Sequence, residues 1–390
     1  MEKISITQRI SVYLICGMIL VFSAAFFISP KREFSEEENR KLKGMPEFSK
    51  TALFDGSFAG GLKDYVTDQF PGRDNLLSYI SAAERISGRK EINGVYLPGG
   101  TIMMNSYEEP VNVEKDITQF SKLAENTDAD VYLCLVPSAV NIYRDLLPAY
   151  APEDGKRQQE IIDVIYEGVS PRIKKVDASR ALRQARYNDQ ALDDMYAADA
   201  PHYSVYYRTD HHWKVYGAYA AYMEFCETAG LTPYAQDLYS WNKVSDSFRG
   251  TIYSKLNDSY FGSDEITSVS CEYWDLTVDY GDGNVTDSPY NPDYLEKRDS
   301  YSYFLDNQHS FIEVTNNAME GGEIAVVKDS YANCFIPFLF NHYRKVYIFD
   351  TRYYKGGPSK FINEHKGIED VLILYNMGTL DNDTGIGGIY

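Results

Sequence analysis

A carboxylate and two histidines stand side by side at residues 210–212, inside the run YRTDHHWK that covers residues 207–214. These are two of the chain's 6 histidines. A histidine two positions after an aspartate can have its ring oriented by that carboxylate, which is the base half of a nucleophilic triad. The same cluster could supply metal ligands, or two structural histidines that pack and hydrogen-bond. The choice depends on what partner the rest of the chain offers.

A candidate partner is Ser330, in the run KDSYAN at residues 328–333. This run follows a strand-like apolar segment and is predicted to open a helix, which would expose the serine at the carboxyl edge of a sheet. The N–H groups of the helix start could then stabilise an oxyanion. Glycines are absent, so the run is not the GxSxG elbow of α/β-hydrolases. Taken alone, an Asp or Ser here is also an ordinary helix N-cap.

Together the two motifs indicate an orienting Asp210, a histidine base and a nucleophilic Ser330, because a hydroxyl becomes a good nucleophile only when a base takes its proton. Spacing alone does not choose between His211 and His212. A metal site would need a third ligand, and the chain has no HExxH or comparable motif.

The elements around these motifs alternate between strands and helices. Apolar runs predict strands at 129–136, 323–327, 345–349 and 371–375, with a short one at 174–177. Helical patterns lie at 111–124, 158–168, 178–185, 214–228, 332–342 and 361–366. The alternation predicts an α/β fold with a mostly parallel sheet flanked by helices. Residues 231–320 are rich in Asp, Ser, Tyr, Gly and Asn, which predicts a β-rich insertion with long loops.

The amino-terminal part has a different character. No charged residue lies between Arg9 and Lys31, and residues 10–28 are long enough to cross a bilayer as a helix. We predict an uncleaved transmembrane anchor in residues 1–30, preceded by a short cytoplasmic tail, in preference to a cleaved signal peptide. Residues 31–93 are predicted as a helical juxtamembrane region, with a helix over 53–77 broken at Pro71. Residues 94–390 form the predicted main domain, outside the cytoplasm.

The overall composition limits the classes of molecule that the chain can bind. The net charge of -19 argues against nucleic acid, since phosphate binding needs clustered Lys and Arg. The 34 tyrosines suit a surface that binds sugars or proteins, and many also fit half-buried strands. None of the 5 cysteines forms a CxxC pair, so neither a zinc ribbon nor a disulfide scaffold is indicated.

The motifs resemble a known family. The run TDHHW at residues 209–213 resembles the signature of the bacterial DHHW family, which is similar to the alginate O-acetyltransferase-type proteins of the SGNH-hydrolase-like group. The blocks that match the family's pattern are SEEENR at residues 35–40, DQFPGRD at 68–74, VPS at 136–138 and KDSYAN at 328–333. The resemblance extends over nearly the whole chain and implies an SGNH-hydrolase-like α/β domain.

By this resemblance, Asp210 orients the base, His212 is the base because it directly precedes the tryptophan, and Ser330 is the nucleophile. The role of His211 stays open. Further candidates for oxyanion or substrate contacts are Asn307, Tyr331 and Asn333. No metal and no cofactor is expected.

The implied activity is that of a membrane-anchored O-acetyltransferase or acetylesterase. It would act on a cell-envelope polysaccharide through an acyl-serine intermediate. A multispanning membrane acyltransferase is the implied protein partner. The alternative is a non-catalytic polysaccharide-binding or assembly protein of the cell envelope that kept the fold.

Overall fold

The computed structural model describes residues 6–98, 103–151, 153–193, 205–380 and 385–390. The chain forms two compact units. One comprises Met1–Arg89 together with Ser254–Tyr260, and the other comprises Lys90–Tyr253 with Phe261–Tyr390. Residues 1–5, which belong to the predicted cytoplasmic tail, lie outside the described residues.

The first unit begins with a long apolar helix and continues with short elements. Its helices are α1 (Ile6–Ile28), α2 (Lys50–Phe54), α3 (Ser57–Asp68) and α4 (Arg73–Ile86), and its strands are β1 (Phe34–Ser35) and β2 (Arg40–Lys41). By length and composition, α1 could cross a membrane. The predicted break at Pro71 separates α3 from α4. The helix predicted over 53–77 is further divided at Gly56, whose φ of 82° lies in the left-handed region.

Charged residues of the motifs at 35–40 and 68–74 hold this first unit together. The buried Asp68 accepts two hydrogen bonds from the Arg40 guanidinium, at 2.6 and 2.9 Å, and one from the backbone N–H of Lys43. Arg73 pairs with Glu38 in the same way. The hydrogen bonds from Arg40 lower the pKa of Asp68 against the opposing effect of burial. The matched blocks at 35–40 and 68–74 therefore have a structural role.

The second unit is built on an eight-stranded sheet. Its strands are β6 (Asp130–Val136), β7 (Ile173–Val176), β10 (Leu276–Asp279), β11 (Val285–Thr286), β12 (Phe311–Asn316), β13 (Glu323–Lys328), β14 (Lys345–Asp350) and β15 (Ile368–Asn376), in the order β11-β10-β12-β14-β13-β15-β6-β7. The four pairings from β14 to β7 are parallel, and the other three are antiparallel. The prediction of a mostly parallel sheet in an α/β fold is confirmed.

Helices cover both faces of this sheet. They are α5 (Val113–Glu125), α6 (Ala139–Ile142), α7 (Glu153–Gly168), α8 (Ala178–Asp193), α9 (Val215–Ala229) and α11 (Pro358–Glu364). A short helix, α10 (Thr251–Leu256), lies between α9 and α11 in the chain. Alternate residues of β6 enter separate cores: Tyr132 and Cys134 lie in a cluster that includes residues of α9, whereas Leu133 and Leu135 lie in a cluster that includes residues of α5, α7 and α11. Burial on both faces explains why this strand reads as a continuous apolar run.

The region predicted as a β-rich insertion, 231–320, divides into two parts. Strands β8 (Ser240–Phe248) and β9 (Asp264–Ser270) form a separate antiparallel pair, whereas β10 to β12 extend the central sheet. Three short strands, β3 (Glu91–Ile92), β4 (Val95–Tyr96) and β5 (Met104–Asn105), form another small sheet.

The prediction of an α-helix at 332–342 is wrong in the type of helix. Residues 332–342 were expected to be α-helical, but the chain forms two 3₁₀ segments, Ser330–Cys334 and Ile336–Asn341. Pro337 lies in the second segment and has no backbone N–H to donate, so a continuous α-helix through it would lack a hydrogen bond.

Candidate active site

The structure brings Asp210, His212 and Ser330 into one hydrogen-bonded chain. His212 Nδ1 lies 2.5 Å from Asp210 Oδ2, and His212 Nε2 lies 2.8 Å from Ser330 Oγ. Asp210 is 2% exposed and His212 is 5% exposed, while Ser330 is only partly buried. This is the order of contacts expected of a nucleophile, a base and an orienting acid.

Four donors hold the Asp210 carboxylate. Oδ1 accepts from the backbone N–H of Thr251 at 2.7 Å and from its hydroxyl at 2.8 Å. Oδ2 accepts from the backbone N–H of His212 at 3.2 Å and faces its ring. Gly250 packs directly against this carboxylate: a Cβ added there would lie 2.1 Å from Asp210 Cβ. Only glycine therefore leaves Asp210 in its present position.

The His212 ring is also fixed by aromatic neighbours. Tyr301 stacks on it with ring centroids 3.7 Å apart and planes 11° apart. The Tyr301 hydroxyl donates to the backbone carbonyl of Ser330 at 3.2 Å. Trp213 is fully buried, and its indole N–H donates to the carbonyl of Tyr331 at 2.8 Å, which ties the histidine motif to the serine turn. One tyrosine thus contacts both the base and the backbone of the nucleophile.

The turn that carries Ser330 is held by its neighbour Asp329. One Asp329 oxygen accepts from the backbone N–H of Tyr331 at 2.9 Å, and the other accepts from the N–H of Asn376 at 2.8 Å and from the Thr379 hydroxyl. This carboxylate joins the end of β13 to the end of β15. It also occupies the Tyr331 N–H, one of the helix-start groups predicted to face an oxyanion.

The three further candidates lie in different surroundings. Tyr331 is fully buried, with its ring 5.1 Å from that of His212 and its hydroxyl bonded to the His211 carbonyl. The Asn333 side-chain oxygen accepts from Lys328 at 2.7 Å, and that of Asn307 accepts from a serine hydroxyl at 3.0 Å. Within the described part of the chain, none of the three hydrogen-bonds Ser330 Oγ, so their roles remain predictions.

Burial sets the protonation state of the base. It lowers the pKa of His212 to about 4, with a further lowering from His211 and an opposing effect from Asp210. Burial alone would raise the pKa of Asp210, but the imidazoles of His211 and His212 and their hydrogen bonds hold it well below its ordinary value. At neutral pH the pair is therefore a carboxylate and a neutral imidazole, the state in which His212 can accept a proton.

His211 occupies a more open position beside this pair. Its Nδ1 lies 2.6 Å from the Thr251 hydroxyl and its ring 3.9 Å from that of His212. Asp210, His211 and His212 together present three potential metal-ligand atoms within 4.8 Å. However, both ring nitrogens of His212 already face Asp210 and Ser330. A metal bound through His212 would have to replace one of these hydrogen bonds, so the geometry favours acid–base use of the cluster.

A buried ionic group adjoins the serine turn and was not anticipated from the sequence. Lys328, the last residue of β13, pairs across the sheet with Asp350, the last residue of β14. Their side chains are 3% and 1% exposed, with Lys328 Nζ 3.6 Å from Asp350 Oδ2. Arg352 donates two hydrogen bonds to Asp350 and is among the charges that lower the pKa of His212. Lys328 belongs to the KDSYAN block, but nothing in the sequence indicated its pairing with Asp350, and Arg352 simply follows a predicted strand.

Comparisons with known proteins agree with this architecture. A family model described as DHHW protein matches residues 124–349, more than half of the chain. A DHHW family protein from Eubacterium siraeum superposes with a TM-score of 0.64 at 23% identity, over 76% of this chain and 95% of that one. Bacillus cereus PatB1 with a sulfonyl adduct superposes with a TM-score of 0.60 at 19% identity, over 76% and 98%. No curated protein matches the chain. The resemblance inferred from the motifs is confirmed, and the structural neighbours share the fold.

Proposed function

We propose that this chain, which belongs to the DHHW family, transfers or hydrolyses acyl groups by way of an ester on Ser330. The observation that carries the proposal is the unbroken contact from Asp210 through His212 to Ser330 Oγ, at 2.5 and 2.8 Å. A buried neutral imidazole with a partly buried serine hydroxyl on one nitrogen and a carboxylate on the other is the arrangement that activates a serine.

The first half of the reaction forms the acyl-enzyme. His212 Nε2 takes the proton of Ser330 Oγ as the oxygen attacks the acyl carbonyl carbon, giving a tetrahedral intermediate. The bond to the leaving oxygen then breaks, and His212 returns the proton to that oxygen. Asp210 stays ionised throughout and stabilises the imidazolium while it carries the proton.

The second half moves the acyl group to an acceptor. His212 removes a proton from an acceptor hydroxyl, whose oxygen attacks the carbonyl of acyl-Ser330. The intermediate collapses, and His212 reprotonates Ser330 Oγ. A sugar hydroxyl as acceptor gives a transferase, and water as acceptor gives an esterase, with the same residues in the same roles.

The setting of the reaction follows from the first unit and from the family resemblance. With α1 as a membrane anchor, the second unit lies outside the cytoplasm and acts on cell-envelope polysaccharide, with acetyl as the acyl group. A multispanning membrane acyltransferase would supply that group. The PatB1 structure with a sulfonyl adduct supports the choice of reagent for a test, because sulfonyl groups attach to nucleophilic side chains.

Turnover of p-nitrophenyl acetate by the purified protein tests the proposal. Ser330→Ala should abolish turnover, because the variant has no hydroxyl to acylate. Ser359→Ala removes another buried hydroxyl, at the start of α11 and outside the catalytic chain, and should turn over the ester like the original protein. Equal rates in the Ser330→Ala variant would refute the assignment and favour the non-catalytic alternative.

A further inference from the structure

Three arginines surround a cavity of about 350 Å³ beside the start of α8. The lining side chains come from the loops after β6 and β7 and from α7 and α8, and they are Arg144, Gln159, Asp177, Ser179, Arg180 and Arg183. In a chain with a net charge of -19, such a concentration of arginine is unusual.

Two of the arginines form no salt bridge with an acid among the described residues. Arg183 donates to the side-chain oxygens of Asn141 at 2.6 Å and Gln159 at 2.9 Å, which are uncharged acceptors. In contrast, Arg180 binds both oxygens of Glu224. Within the described ranges, neither Arg144 nor Arg183 forms a salt bridge with a carboxylate. Burial and the repulsion from Arg144 lower the pKa of Arg183, so a bound anion would relieve an unfavourable pair of charges.

One residue that lines the cavity, Ser179, has a buried hydroxyl without a hydrogen-bond partner among the described residues. Ser179 is 5% exposed. Buried hydroxyls almost always have partners, and Ser179 lines the same cavity as the arginines. Ser179 lies in the first turn of the 16-residue helix α8, whose positive end favours an anion. Asp177 lies at the same end and accepts from the backbone N–H of Arg180 at 2.9 Å. Its charge opposes the lowering of the Arg183 pKa, so the cavity holds two arginines, Arg144 and Arg183, that form no salt bridge within the described part of the chain, and this one carboxylate.

The cavity and the nucleophile lie at the same edge of the sheet. Ser330 follows the carboxyl end of β13, while the cavity is formed by residues that follow the carboxyl ends of β6 and β7. In the strand order β13-β15-β6-β7, three strand spacings separate β13 from β7. At about 4.8 Å each, this separation is roughly 14 Å. An extended polymer lying along this edge could reach both places at once.

We propose that Arg144 and Arg183 bind an oxyanion, phosphate or carboxylate, carried by the polysaccharide acceptor. Its role in catalysis rests on the function proposed above, but the binding itself does not. The site would select an anionic polysaccharide and hold it so that one of its sugar residues lies at Ser330.

Isothermal titration calorimetry of the purified protein with three defined oligomers tests whether the cavity binds anions. These are a glycerol phosphate oligomer, an oligogalacturonate and a neutral malto-oligosaccharide. At least one anionic probe should bind and the neutral one should not, and the stronger anionic probe identifies the phosphate or the carboxylate as the ligand group. Arg183→Gln and Arg144→Gln should each weaken that binding about tenfold or more, as expected for loss of a charge-assisted hydrogen bond. Arg157→Gln, which removes an exposed charge from α7, should bind like the original protein.

The site proposal is overturned if neither anionic probe binds, if the neutral probe binds equally well, or if Arg157→Gln weakens binding as much as the two test variants. Arg144 is exposed, so its variant should fold even if Arg183→Gln does not. Failure of the catalytic proposal gives a different result. Ser330→Ala should keep anion binding while losing p-nitrophenyl acetate turnover, and Arg157→Gln should keep both.

Discussion

Asp210→Asn should disable the base while leaving the fold in place. The carboxylate accepts two donors on each oxygen, whereas an amide has only one accepting oxygen. The NH₂ group must therefore face either Thr251 or His212. The Thr251 backbone N–H, at 2.7 Å, cannot change its role, whereas the His212 ring can move its proton to the other nitrogen. We expect the NH₂ group to face His212.

The expected cost follows from this orientation. His212 would accept at Nδ1 and carry its proton on Nε2, so Nε2 could no longer take the proton of Ser330. Loss of the correct tautomer in a serine triad lowers kcat about 10⁴-fold, or roughly 5 kcal/mol in the barrier. The weaker hydrogen bond from the His212 backbone N–H to Oδ2, at 3.2 Å, would also lose its acceptor. Leaving this buried donor unsatisfied should cost about 1–3 kcal/mol of unfolding free energy.

Ester turnover, urea unfolding and nitrogen NMR of the His212 ring together test the reasoning. The NMR spectrum should show the proton on Nδ1 in the original protein and on Nε2 in the variant. The control is Asp370→Asn, which alters a carboxylate bonded to Tyr343 at the amino end of β15. It should lose stability but keep normal kcat/KM. A folded Asp210→Asn variant with kcat within about tenfold of the original would refute the orienting role.

Three further predictions concern the same site and its pH dependence. Gly250→Ala should lower kcat/KM about 100-fold or more in the ester assay, because its Cβ would displace the Asp210 side chain; unchanged kcat/KM would show that the carboxylate can move without loss. The kcat/KM for the ester should rise with pH as His212 loses its proton, with an apparent pKa below 6.5 and near 4; an inflection at or above 6.5 would contradict the buried neutral base. Burial also lowers the pKa of His342 to about 4, so the unfolded state binds a proton at a higher pH than the folded state does. The free energy of unfolding should therefore fall as the pH is lowered from 6.5 to 4. In urea unfolding, His342→Gln should reduce this pH dependence, and an unaltered slope would exclude His342 as a cause.

The sequence predicted the strands well where burial on both faces produces continuous apolar runs. Residues 129–136 and 345–349 correspond to β6 and β14. The prediction of an α-helix at 332–342 failed because the apolar composition is typical of a buried helix, whereas Pro337 disfavours a continuous α-helix there. The extension of the sheet by β10 to β12 depends on antiparallel pairing between distant segments, which local patterns do not specify.

Some residues of the candidate site could also be predicted from the sequence, and others could not. Asp210 and His212 are close in sequence, and Ser330 was marked by its place on a strand-to-helix turn, so their types and order were informative. Tyr301 and Gly250 were missed because their contacts with His212 and Asp210 form only in the folded protein. One tyrosine among 34 and one glycine among 27 have no local signature of such a role.

The most direct measurement is peptide mapping after reaction with an aromatic sulfonyl fluoride. If Ser330 is activated by His212, the sulfonyl group should be found on Ser330. His212→Ala should slow the labelling strongly, while Ser359→Ala should leave it unchanged. An adduct on another residue, or equal labelling rates with and without the His212 imidazole, would contradict the assignment of Ser330 as the activated nucleophile.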